Sequence, residues 1–102
     1  MTLAEKIRKV YESNGLINQI DQTIEEASEL ILALSKYKRF CINPNSLSEE
    51  YDVATNIENI CEELADIQCM IWQMSIPFKD DFRNQRIEEK LNRVMERQKN
   101  GR

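Results

Sequence analysis

Apolar residues recur every three or four positions through most of this chain, the spacing that lines up one face of an α-helix. Thr2-Leu-Ala-Glu5 is a capping-box pattern, and it opens a helix carried by Leu3, Ile7, Val10 and Tyr11. Gly15, directly after Asn14, suits a C-terminal cap. A second helix is expected from about Leu16 to Phe40, where Ile20, Ile24, Ala27, Ile31 and Leu34 step by four, three, four and three. Cys41–Ser48 reads as a loop with Asn43-Pro44-Asn45 turn chemistry, and Ser46-Leu-Ser-Glu49 as a second capping box. A third helix follows from about Glu49 to Ser75, ending before Pro77. A fourth is expected over Asp80–Lys99, with Phe82, Ile87, Leu91, Val94 and Met95 on its apolar face, and a frayed Asn-Gly-Arg after it.

The third helix carries more apolar surface than its neighbours can cover. Val53, Ile57, Ile60, Leu64, Ile67, Ile71 and Met74 form one stripe. At about 100° per residue, Ala54, Cys61, Ala65, Cys69 and Trp72 form a second, roughly opposite. Small residues there let another helix approach closely. The expected fold is therefore all-α: a four-helix, bundle-like protomer with an extensive helical dimer interface. The alternative is a compact monomer whose own helices cover both stripes.

Composition narrows the chemistry. At 102 residues the chain is one domain, 1–102, and two Gly and two Pro leave little scope for a turn-rich β fold. The net charge of −4 gives no case for nucleic-acid binding through a general basic field, although the segment from Lys79 onward is mostly basic. No apolar run suits a membrane span or a signal peptide. Cys41, Cys61 and Cys69 are odd in number with no CxxC, as expected of small apolar residues in a reducing cytoplasm. The chain has no histidine. That excludes Ser-His-Asp and Cys-His catalysis, His-bearing zinc sites and Glu-x-x-His di-iron sites. Carboxylates, Lys, Arg and bound cations remain.

Two acidic clusters sit inside the apolar frame. Glu25, Glu26 and Glu29 fall within Thr23–Leu34, and Glu62, Glu63 and Asp66 within Ile60–Ile71. Residues three or four apart share a helix face, so Glu26 pairs with Glu29 and Glu63 with Asp66. If the second and third helices pack antiparallel, the pairs lie at similar height and four to five carboxylates converge. Like charges so placed repel unless a cation sits among them. Oxygen ligands without His or Cys select Mg²⁺ or Mn²⁺. Magnesium so held shares its shell with substrate phosphates and supports attack by water on a polyphosphate. The alternative is that the acids merely solvate two helix surfaces.

The patterns E-A-S-E (Glu26–Glu29) and E-L-A-D (Glu63–Asp66) resemble the E-x-x-E … E-x-x-D signature of the all-alpha NTP pyrophosphatase superfamily, in its MazG-like branch. The likeness runs from about Gly15 to Arg97, with Gly15-x-x-x-Gln19 before the first cluster and Glu89-Lys90-Leu-Asn-Arg93 in the last helix. The spacer between Glu29 and Glu63 is somewhat long. The resemblance implies a homodimer or homotetramer that hydrolyses a nucleoside triphosphate to the monophosphate and pyrophosphate with Mg²⁺. It makes Glu26, Glu29, Glu63 and Asp66 metal ligands. One of these, or Glu25 or Glu62, would orient the attacking water.

Basic residues of the fourth helix would meet the phosphates in such a family. Lys90, Arg93 and Arg97 share one helix face, though they could equally pair with Glu88, Glu89 and Glu96. Gln19 is a candidate for a base or sugar contact against an ordinary role on the helix surface. Trp72 is either a stacking platform or interface core. Two further readings stand beside this one: phosphoribosyl-ATP pyrophosphohydrolase, a relative with similar acidic motifs, and a non-catalytic helical module that binds a partner through the second stripe.

Overall fold

The structure is a computed structural model that describes residues 1–48 and 50–101. It contains four α-helices and no strand among the described residues: α1 (Leu3–Asn14), α2 (Leu16–Ile42), α3 (Val53–Met74) and α4 (Asp80–Lys99). One 3₁₀ turn, Pro44–Ser46, follows α2. Thr2 caps α1 as its pattern predicts, its Oγ1 accepting the backbone N–H of Glu5 at 3.1 Å. Gly15 separates α1 from α2 at φ 85°, a left-handed backbone that a side chain resists, while its N–H closes α1 on the Tyr11 carbonyl at 2.8 Å.

α3 begins four residues later than expected. Asp52 is the cap, accepting from the Ala54 N–H at 3.1 Å and from the Thr55 hydroxyl at 2.8 Å. These bonds hold the Asp52 carboxyl below its usual range, the Thr55 hydroxyl contributing most. Glu49, the expected start of this helix and the close of the second capping box, lies outside the described residues, as does Arg102.

α2 and α3 run antiparallel. Gln19 meets Gln73 at one end of the seam, Asn56 meets the Ala33 carbonyl further along, and Phe40 stacks on Tyr51 at the other end with ring centroids 5.6 Å apart. α1 packs across both helices. α4 packs against no other described helix, so the chain does not close the expected four-helix bundle. The radius of gyration, 17.7 Å, exceeds the roughly 13 Å of a compact domain this long.

The seam is turned away from the apolar stripes. On α3 the covered positions include Asn56, Ile60, Glu63, Ile67, Met70 and Gln73, whereas Ile57, Leu64 and Ile71 of the expected stripe stay exposed. On α2, Gln19 and Ala33 are buried while Ile24, Ile31 and Leu34 are exposed. At about 100° per residue, both exposed sets fall on the same side of the antiparallel pair. Ile31 is 65% and Leu64 49% exposed, so that side is an open apolar surface. The opposite side is polar. Trp72, 40% exposed, lies at the α1 end, beside Leu3 and Ile7 in an apolar groove.

Candidate metal centre

Glu26 and Glu29 leave α2 one turn apart, and Glu63 reaches toward them from α3. One carboxylate oxygen from each lies within 4.8 Å of the other two. The convergence follows from the antiparallel seam, which sets Glu26 and Glu63 at the same height. Gln22, one turn before Glu26, donates its Nε2 to Glu26 Oε1 at 2.7 Å and orients that carboxylate. The second oxygen of Glu26 and Oε2 of Glu63 are buried with no hydrogen-bond partner among the described residues. Buried carboxylate oxygens are costly when unpartnered, a cost that either a bound cation or a proton shared among the three acids would relieve.

The crowding shifts the proton affinities of two of the three acids. Burial pushes the Glu26 carboxyl up from its ordinary 4.5; the Gln22 bond opposes this, while Asp66 and Glu29 add to the rise. Burial also raises Glu63, with further contributions from Glu29, Glu26 and Asp66. Three oxygen donors without nitrogen or sulfur suit a hard divalent cation such as Mg²⁺ or Mn²⁺.

Of the expected site residues, the structure thus gathers Glu26, Glu29 and Glu63. Asp66, one turn beyond Glu63, is close enough for its charge to be felt by Glu26 and Glu63 but lies outside the converging group. Glu25 and Glu62 are exposed beside the cluster. Gln19 occupies neither place the sequence suggested. It is 3% exposed, and its amide donates to Gln73 across the seam. Lys90, Arg93 and Arg97 are exposed on α4, which does not approach the carboxylates within the chain. Nor do they pair with the acids of α4: Glu89 accepts from Arg86 at 2.9 Å and from Gln85 at 3.3 Å.

A cavity of about 850 Å³ opens on the polar side of the pair, with Glu29 and Glu63 at one end. It runs past Lys36 and Arg39 toward Tyr51 and Asn56. Asn56 is buried, donating to the Ala33 carbonyl at 3.3 Å and accepting from the Tyr51 hydroxyl. Sequence reasoning passed over these four residues. A signal was there for two: Lys36 lies seven positions after Glu29, and Asn56 seven before Glu63, which keeps each on its partner's helix face. No family model, curated protein or solved structure matches the chain.

Proposed function

We propose that this chain is a Mg²⁺-dependent nucleoside triphosphate pyrophosphohydrolase, converting a ribo- or deoxyribonucleoside triphosphate and water to the monophosphate and pyrophosphate. The observation that carries the reading is the meeting of Glu26, Glu29 and Glu63 with two buried oxygens that lack a partner. The ordered E-x-x-E and E-x-x-D resemblance, and a cavity of ligand size leading from the cluster, support it.

Glu26, Glu29 and Glu63 would hold the cation, with Asp66 one turn away as a fourth ligand or as a partner for bound water. Bound Mg²⁺ would supply charge neutralisation on the phosphates and a more acidic water. Water oxygen attacks the α-phosphorus, the bond to the bridging oxygen of the β-phosphate breaks, and that electron pair leaves with pyrophosphate. The water's proton would pass to a carboxylate outside the ligand set, for which Glu25 and Glu62, exposed beside the cluster, are the candidates. Burial of Glu26 and Glu63 keeps competing water from their inner oxygens.

The open apolar side of the α2–α3 pair fits a second copy of this chain, giving a homodimer or, by repetition, a homotetramer. Ile24, Ile31, Leu34, Ile57, Leu64 and Ile71 are exposed together on this side, and burying them against a second copy would add to the small covered core of so short a chain. Phe82, Leu91 and Met95 of α4 are likewise exposed, and docking on a partner would cover them and bring Lys90, Arg93 and Arg97 to a cluster.

Product analysis with Mg²⁺ and a panel of ribo- and deoxyribonucleoside triphosphates tests the reading. Monophosphate with pyrophosphate is the expected outcome. Orthophosphate release in place of pyrophosphate overturns cleavage between the α- and β-phosphates. Failure with every triphosphate, but turnover of phosphoribosyl-ATP, would move the assignment to that relative. Inertness toward all of them, with a melting temperature indifferent to Mg²⁺, would leave a helical interaction module.

A further inference from the structure

The sequence pointed to α4 for cations that meet the phosphates, yet the cavity beside the carboxylates carries two of its own. Lys36 and Arg39 both line it from α2, and neither forms an ion pair with a described residue. Lys36 lies two helical turns past Glu29, about 10 Å along the axis, and Arg39 nearly one turn further. They lie along one wall of the same cavity that ends at Glu29 and Glu63. The wall thus changes sign along its length, from acids that call for a cation to cations that call for an anion. Glu50 and Asp52 also line the cavity at the loop end, and Asp52 stays charged while it caps α3, so the attraction for an anion comes from the α2 wall alone.

We infer that Lys36 and Arg39 form the subsite for the distal phosphates, which leave as pyrophosphate, of a nucleotide whose reacting phosphate sits at the carboxylate cluster. This assignment rests on the pyrophosphohydrolase reading and adds to it the groups that hold the leaving group. A polyanion with one end at a divalent cation on Glu29 and Glu63 extends along α2 toward the two side chains. Lysine meets it as a mobile point charge, and arginine as a planar fork able to grip two phosphate oxygens. Holding the departing pyrophosphate also offsets the negative charge that accumulates on it as the bond breaks.

The test uses inorganic pyrophosphate with Mg²⁺ as the probe, read by titration calorimetry on the full chain. Wild-type protein is expected to bind it, and Lys36→Ala and Arg39→Ala to weaken binding roughly tenfold each, about the contribution of one charge-assisted hydrogen bond. Lys38→Ala, on an exposed position that does not line the cavity, serves as the control and is expected to bind as wild type. Circular dichroism verifies that each variant is helical. Pyrophosphate inhibition of turnover is expected to weaken in parallel. Wild-type protein that does not bind pyrophosphate, or a Lys36→Ala/Arg39→Ala variant that binds it undiminished, overturns the subsite. If that variant keeps its pyrophosphate affinity and loses only discrimination among bases, the two residues face the nucleoside and the subsite is overturned too. Turnover in the nucleotide panel judges the enzymatic reading separately. A protein that releases pyrophosphate from a triphosphate, yet fails these binding tests, loses only the Lys36 and Arg39 assignment.

Discussion

Glu26 and Glu63 face each other across the α2–α3 seam, each with one carboxylate oxygen buried and unpartnered among the described residues. Two acids in that position weaken the fold on their own, and under the proposed function a bound cation would reverse the effect. Glu63→Gln is expected to raise the melting temperature without Mg²⁺ and to abolish the rise that Mg²⁺ gives wild type. For wild type that rise corresponds to about 2.7 kcal/mol at 100 times the dissociation constant. Thermal melts of both proteins with and without Mg²⁺ check this. A Glu63→Gln variant that responds to Mg²⁺ as wild type does would remove Glu63 from the ligand set.

The same pair makes a prediction about pH. Both carboxyls bind protons more tightly in the folded chain than at their ordinary value of 4.5. Their contribution to stability is therefore full below the unfolded value and lost as pH rises through the folded one. The metal-free protein is expected to gain stability from these groups as pH falls from about 7 to about 5, by urea midpoint. A Glu26→Gln/Glu63→Gln variant loses this component. Mg²⁺ affinity moves the other way, because protons compete with the cation.

Gln19 and Gln73 separate a structural role from a substrate role. Gln19→Ala leaves the Gln73 amide buried without its partner, at a cost of about 1–3 kcal/mol. Replacing both by leucine is expected to recover most of that loss. Urea unfolding measures the stability, and KM for the preferred nucleotide is expected to stay near wild type in the folded double variant. A KM that rises many-fold with stability restored would return Gln19 to the substrate.

Much of the fold was legible in the sequence. Helix ends marked by Thr2, Gly15 and Pro77 were local signals, and the four helices follow them. The facing of α2 and α3 was not legible. Periodicity locates an apolar stripe but cannot say whether the chain's own helices or a partner covers it. Here the seam takes the polar flank with Gln19, Asn56, Glu63 and Gln73, leaving Ile57, Leu64 and Ile71 outward. The carboxylates could be placed because E-x-x-E spacing sets one face. Lys36 and Arg39 were missed because an exposed basic residue on a helix carries no mark of what stands opposite it.

The outward apolar side predicts assembly. Ile31→Glu with Leu64→Glu places charges where a second copy would bury them, each costing several kcal/mol if left unpaired. Light scattering is expected to find wild type as a dimer or tetramer and this variant as a monomer of reduced helicity. Wild type that stays monomeric at high concentration would contradict the homodimer.

The polar bonds along the seam work as registration marks. Gln19 precedes Glu26 by seven residues and Ala33 follows it by seven, so contacts to Gln73 and Asn56 bracket the acids about two turns to either side. An all-apolar seam tolerates sliding by a turn, since one aliphatic contact replaces another. Sliding here breaks an amide pair at one end and strips the buried Asn56 amide of its acceptor at the other. The spacing between Glu26 and Glu63 is thereby pinned from both ends, so the carboxylate cluster keeps its span while the rest of the chain stays open.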